Sequence, residues 1–266
     1  MSKVLPPPVI VITAFGTSAP EGQKDLENVD RLVIARHPDH EVRWVFTSGF
    51  IRKKLIDSGQ TTLFERRVPL RSLAEVYADL RKEGKQRVAV QPLLIMTGSE
   101  YADALTVPTD GLDVEYGYPL LAPPENVARV AEALAPEFGG GDTVTIVCGH
   151  GNEKVPAFNI PLVHLDKHLR KRYQNVFLTT LDGPPGTEPA FADARKSGLK
   201  KVKFIPLLIV AGGHVNDDIM SDNPESYRSQ VGLEASNTLG LGNNPAVMAI
   251  WLESIDRTLD KFSARD

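Results

Sequence analysis

A duplication constrains this chain more than any other feature. VAVQPLLIMTGSEYADAL at residues 88–105 and VKFIPLLIVAGGHVNDDI at residues 202–219 match at Pro92 and Pro206, at two following leucines, and at Gly98 and Gly212. The spacing between copies is far longer than a solenoid repeat, so it marks a duplicated domain rather than an array. Each copy opens on a branched, apolar run. Such a run reads as a buried strand of a parallel sheet, with Pro206 predicting a bulge or an early strand end. In the second copy the run breaks at Gly212-Gly213 and presents His214 at the strand's carboxyl end, where ligands bind in open α/β sheets. In the first copy the same place holds Glu100.

Strands and helices alternate on either side of this repeat. Strands are expected at Val9–Ala14, Glu41–Phe46, Arg87–Ile95 and Leu112–Tyr118, and then at Thr143–Cys148, Val176–Leu181 and Val202–Val210. Helical spacing of apolar residues marks Gln23–Arg36, Phe50–Ile56, Ser72–Lys82, Glu125–Leu134, Leu162–Tyr173, Pro189–Ser197 and Asn243–Phe262. Asn223–Val231 reads as a short helix, and Leu233–Leu241 as a last strand or a loop. The pattern predicts an α/β fold of two similar doubly wound parallel-sheet domains, residues 1–122 and 123–266, joined near the proline-rich segment Pro119–Pro124. The last helix, 243–262, is open to packing on the first domain.

The equivalent strand ends carry different chemistry. In the second half they present His150, Asp182 and His214; in the first half Phe15, Ser48 and Glu100 stand in those places. Neighbouring parallel strands lie ~5 Å apart, so groups at their tips can converge on one ion. Two imidazoles and a carboxylate suit a divalent first-row metal and leave coordination positions open. Against this stands the plainer reading of three unrelated loop residues. His164 and His168, four apart on a helix, lack the HExxH glutamate and read as a solvated face. His37 and His40 sit at a helix end, where turn and dipole roles suffice. Cys148 reads as a small core residue, with a minor redox role left open by its nearness to His150. The turn Gly16-Thr17-Ser18 precedes a helix and can offer backbone N–H groups to an anion. It lacks the P-loop lysine and the full GxGxxG pattern, so no nucleotide is expected. Arg52, Lys53 and Lys54 either meet anionic substrate groups or form a solvated face.

Composition excludes several classes. A formal net charge of −4 offers no basis for gripping nucleic acid. A single cysteine rules out an internal disulfide or a thiolate cluster, which fits a reducing compartment. No stretch approaches the ~20 apolar residues of a membrane span, and the opening residues lack a signal-peptide pattern, so a cytoplasmic location is expected.

These stretches together resemble a known family. The matching pieces are Ala14-Phe15-Gly16-Thr17-Ser18, Phe46-Thr47-Ser48-Gly49, Val90-Gln91, Gly149-His150-Gly151, Leu207–Gly212 with His214, Ser221-Asp222, Gly240-Leu241-Gly242 and Asn244-Pro245-Ala246. In order, and across almost the whole chain, they are similar to the anaerobic-type sirohydrochlorin cobalt chelatases. These are class II tetrapyrrole chelatases related in fold to ferrochelatase. The resemblance implies two α/β domains related by an approximate two-fold, a tetrapyrrole held in the cleft between them, and a His, Glu, His metal set from the second domain. His150 and His214 fall on the two histidines.

The chain departs from that family in three places. Asp182 stands where the family has glutamate, one methylene shorter. Leu94 stands where some members carry a haem-binding histidine, so no haem is expected. Gly213 replaces an acidic residue before the second histidine, removing a candidate partner for its ring.

The function implied is ATP-independent insertion of divalent cobalt, as substrate metal, into sirohydrochlorin during anaerobic cobalamin synthesis. The metal would sit on His150, Asp182 and His214. His150 or His214 would accept a pyrrole proton, with Glu100 as a second acceptor or a positioning group. The substrate carboxylates would meet Phe15, Gly16, Thr17, Ser18, Ser48, Arg52 and Lys53. Insertion of iron or nickel, or a non-catalytic metal or tetrapyrrole carrier, are the alternatives. The family also implies that a homo-oligomer is open.

Overall fold

A computed structural model describes residues 6–265. Residues 1–5 and 266, which the expected ranges 1–122 and 123–266 include, lie outside the described residues. By internal contacts the chain divides into two compact units, Met1–Pro119 with Trp251–Asp266, and Leu120–Ile250. The break falls at the start of the proline-rich segment 119–124.

In the first unit the elements run β1 (Val9–Ala14), α1 (Pro20–Arg36), β2 (Val42–Phe46), α2 (Gly49–Asp57), a ribbon of β3 (Thr62–Leu63) and β4 (Val68–Pro69), α3 (Leu73–Lys82), β5 (Arg87–Pro92), α4 (Ser99–Thr106) and β6 (Asp113–Tyr116). The parallel sheet has the order β2-β1-β5-β6. Every residue of β1 is buried, which suits an inner strand covered on both faces. Val9 and Val11 join the cluster formed with Leu73, Val76, Tyr77 and Leu80 of α3, while Ile10 and Ile12 alternate to the opposite side. Burying each of these branched side chains contributes about 1.5–3 kcal/mol.

In the second unit the elements are α5 (Asn126–Leu134), β7 (Thr143–Gly151), α6 (Ile160–Arg172), β8 (Val176–Asp182), α7 (Thr187–Lys196), β9 (Lys201–Leu207), α8 (Tyr227–Val231) and β10 (Glu234–Asn237). The sheet order is β10-β9-β7-β8. Matching β1 with β7, β2 with β8, β5 with β9 and β6 with β10 gives the two sheets the same order. The duplication therefore extends from sequence to topology. The last helix, α9 (Pro245–Ser263), begins in the second unit, and from Trp251 onward it belongs to the first. There Trp251 Nε1 donates to the Pro92 carbonyl at 2.9 Å, and Ser254 Oγ accepts from Tyr118 N at 2.8 Å.

Several boundaries differ from the sequence expectation. β5 stops at Pro92 and β9 at Leu207, not at Ile95 and Val210. β5 ends on Pro92 itself and β9 one residue past Pro206, close to the early end that a proline without an N–H predicts. β7 instead runs on to Gly151, which pairs with Asp182 at the end of β8. α1 starts at Pro20 rather than Gln23, with the proline at the helix N-terminus where a missing N–H costs nothing. The 223–231 helix shrinks to α8, whose N-cap is Ser226. No helix of the described residues is long and apolar enough to cross a membrane.

Two residues kept in reserve by the sequence settle into the core. Cys148 is 1% exposed, and burial pushes its thiol well above the usual range, so a reactive thiolate is disfavoured. His37 is buried at the end of α1 with Nε2 3.5 Å from Asp256 Oδ1 and without a hydrogen bond. Burial lowers its pKa, outweighing the attraction of Asp256. The unfolded chain then binds this proton more readily than the folded one. The stabilising contribution is full above about pH 6.5 and is lost as pH falls through the lower folded value. Urea midpoints measured from about pH 7.5 down to about pH 5.5 should fall, and His37→Gln should flatten that fall.

Candidate metal-handling site

The strand tips of the second unit are drawn together by backbone before any side chain acts. Gly149 pairs with Leu207 of β9 and Thr180 of β8, and Gly151 pairs with Asp182. Gly151 has φ +79°, and a Cβ there would lie 2.0 Å from the Asp182 carbonyl oxygen. Gly183 has φ +76°, and its Cβ would lie 2.7 Å from the Asn152 carbonyl oxygen. Only glycine permits these two loops to approach so closely in that conformation. The fully buried Asn159 ties them further, its Nδ2 donating to the carbonyls of Asn152 at 3.2 Å and Asp182 at 3.1 Å. Tyr227 donates its hydroxyl to the Thr180 carbonyl at 2.7 Å. Burial drives that phenol's pKa upward and keeps it a donor.

His150, Asp182 and His214 stand together at these tips. His150 Nδ1 lies 3.6 Å from Asp182 Oδ2. The rings of His150 and His214 meet edge to face, with centroids 4.8 Å apart and planes at 87°. His150 Nδ1 is 3.0 Å from the Gly151 carbonyl. A carbonyl only accepts, so this nitrogen carries the proton and Nε2 keeps its lone pair. His214 Nδ1 lies 2.7 Å from Asp218 Oδ2, and the same reasoning leaves its Nε2 free to bind or accept. Among the described residues, no group of three or more His, Cys, Asp or Glu stands in an arrangement that could hold a metal ion. The three residues are neighbours, but their side chains do not converge on one point.

His214 opens a π-helical turn, His214–Ile219, closed by Met220 N to the Val215 carbonyl at 2.9 Å. Val215 and Ile219 are buried in the cluster with Val144, Phe204 and Tyr227, which anchors the turn. His214 and Asp218 lie on its exposed side. Such turns often mark functional sites.

The corresponding residues of the first unit also meet. Phe15, Ser48 and Glu100 line one open cavity of about 280 Å³, together with Thr47, Leu73 and Asp103. Thr47 Oγ1 donates to Glu100 Oε2 at 3.2 Å. Ser48 caps α2 by accepting from Ile51 N, and Thr17 Oγ1 accepts from Ala19 N. Gly16 has φ +92°, with Phe15 half-exposed beside it. Arg52 pairs with Glu75 at 3.2 Å, and Lys53 with Asp57 at 2.7 Å. His164 is exposed and His168 half-buried on α6.

The strand registers test the equivalences drawn from the repeat. Thr13 pairs with Pro92, and Cys148 with Pro206. Two residues onward from Thr13 and Cys148 stand Phe15 and His150. Ala14 pairs with Phe46, and Gly149 with Thr180. Two residues onward from Phe46 and Thr180 stand Ser48 and Asp182.

The model of the family described as Cobalt chelatase (CbiK) matches residues 8–260. The chain belongs to the cobalt chelatase family. Among its relatives, sirohydrochlorin cobaltochelatase CbiKC of Nitratidesulfovibrio vulgaris is 28% identical over 260 residues, covering 92% of this chain and 88% of the relative. The sirohydrochlorin cobaltochelatase of Salmonella typhimurium is 27% identical over 263 residues, covering 94% and 96%. In fold the chain is similar to SirB from Bacillus subtilis, solved with Fe3+, at a TM-score of 0.66 and 15% identity over 97% of this chain and 98% of that one. CbiX, described as the terminal enzyme of sirohaem biosynthesis in denitrifying bacteria, aligns at a TM-score of 0.56 and 16% identity, covering 94% of this chain and 98% of that one. Asp218 and Asn159 escaped the sequence reading, and Thr47 entered it only as part of a matching stretch, without its role beside Glu100. For Asp218 a signal existed, a carboxylate four residues after a strand-tip histidine.

Proposed function

We propose that this protein inserts divalent cobalt into sirohydrochlorin, without ATP. Membership of the cobalt chelatase family, with two relatives named for that reaction, supports the substrate pair. The observation that carries the chemistry is the meeting of two imidazoles and a carboxylate at adjacent strand tips.

His150, Asp182 and His214 take the metal as substrate. Their side chains are about half exposed, at 48%, 47% and 50%, so turning them onto a common ion disturbs little packing. Asp182 reaches one methylene less far than the glutamate of the family pattern, which shifts its oxygens by ~1.5 Å and tunes metal preference through geometry. Two imidazoles and one carboxylate leave positions at which tetrapyrrole nitrogens displace protein ligands in turn.

Insertion forms bonds from cobalt to the macrocycle nitrogens and releases the two pyrrole N–H protons. An imidazole Nε2 freed as the metal departs is a suitable acceptor near neutral pH, so His150 or His214 takes one proton. Glu100, held by Thr47, is the second acceptor or a positioning group. The macrocycle's carboxylates are met by the Phe15–Ser18 turn and Ser48, and by Arg52 and Lys53. Those two cations leave Glu75 and Asp57 to do so, a loss of at most about 1 kcal/mol for the exposed Lys53–Asp57 pair.

The test is an insertion assay under anoxic conditions. Purified protein with sirohydrochlorin and cobalt should produce the metallated absorption spectrum well above the rate without protein. Parallel reactions with iron and nickel rank the metals. A cobalt rate equal to the spontaneous one would refute the proposal.

A further inference from the structure

We propose that Asp218 is the positioning residue for His214, fixing its tautomer so that Nε2 faces the cobalt. This rests on the reading of His214 as a metal ligand. The 2.7 Å contact from His214 Nδ1 to Asp218 Oδ2 has the length of a charge-assisted hydrogen bond. A carboxylate accepts and does not donate, so the contact holds the ring proton on Nδ1. The lone pair is thereby held on Nε2. The turn that carries both residues makes the pairing rigid. Val215 and Ile219 are buried beneath it, and Met220 N closes it onto the Val215 carbonyl. His214 and Asp218 are thus presented four positions apart on its exposed side.

His150 is held differently, by the neutral carbonyl of its own neighbour Gly151. The two rings therefore have different hydrogen-bond partners, a carboxylate four residues on for His214 and a backbone carbonyl for His150, whose Nδ1 also lies 3.6 Å from Asp182 Oδ2. Asp218 also supplies a carboxylate that Gly213 does not. A Cβ at Gly213 would make only ordinary contact with Asp217 Oδ2 at 3.5 Å, so space does not explain the glycine. The ring's acidic partner comes instead from the residue after Asp217.

The test uses the full-length, metal-free protein and cobalt ion itself as the probe. Long-range proton–nitrogen NMR reads the tautomer of each histidine, with His214 assigned by its disappearance in His214→Ala. Wild-type His214 should be the Nδ1–H tautomer. Asp218→Ala should convert it to a mixture rich in Nε2–H and weaken cobalt binding by about 10–100-fold. Asp218→Asn, which keeps an acceptor oxygen without the charge, should hold the tautomer and lose part of the affinity. His150 should keep its Nδ1–H tautomer in either variant, since its partner is the Gly151 carbonyl. If His214→Ala loses cobalt while Asp218→Ala keeps wild-type tautomer and affinity, the positioning role is overturned and the ligand reading stands. If His214→Ala binds cobalt as wild type does, the ligand reading falls, and the proposal with it.

Discussion

His150→Ala and His214→Ala should each lower the rate of cobalt insertion by about 10²–10⁴-fold, the range for losing a positioned proton acceptor. Each removes a metal contact, and one of the two also removes the proton acceptor, so binding falls in both and the chemistry falls with it. Stability should barely change. Both rings are about half exposed, and substitutions at such surface sites shift folding by about ±0.5 kcal/mol. The assay is therefore read beside a thermal unfolding curve. Loss of insertion with an unchanged unfolding temperature locates the effect in the site. Wild-type insertion in both variants would remove the strand-tip histidines from the reaction.

Gly151→Ala should damage fold and site at once. A Cβ placed 2.0 Å from the Asp182 carbonyl oxygen cannot stay there, so β7 and β8 must part at their tips. The backbone at φ +79° adds a left-handed strain of about 1–3 kcal/mol for a residue with a side chain. The expected results are a lower unfolding temperature, weaker cobalt binding, and a changed His150–Asp182 distance. Gly140→Ala is the control, because a Cβ there meets nothing within 4 Å. Wild-type stability and cobalt affinity in Gly151→Ala would show that the close approach of the two loops is dispensable.

The parts of this fold that were legible in the sequence share one physical property. They are long apolar runs ended by glycine, and such runs have few places to go but the inside of a parallel sheet. β1, β7 and β9 are of that kind, and their tips put Phe15, His150 and His214 at the same end of each sheet. The duplication then supplied correspondences, of which Phe15 with His150 and Ser48 with Asp182 are reproduced by the strand registers. Two-residue strands such as β3 and β4 are too short to show any period, so the ribbon left no trace. The Asp218 contact depends on a π-helical turn where the sequence shows only a polar run, NDD, after the histidine. Asn159 looked like an ordinary loop amide because its role is set by the two distant carbonyls it bridges. The basic run Arg52-Lys53-Lys54 was visible, but the partner of Arg52 was not, since Glu75 lies on a different helix, whereas Asp57 stands four residues after Lys53 on the same one.

Cobalt-edge anomalous diffraction from crystals grown with cobalt tests the central assignment most directly. The expected result is a peak in the second unit with Nε2 of His150, Nε2 of His214 and a carboxylate oxygen of Asp182 at about 2.0–2.2 Å, distances usual for first-row divalent ions. A cobalt peak held by other residues, with these three side chains still apart, would contradict it.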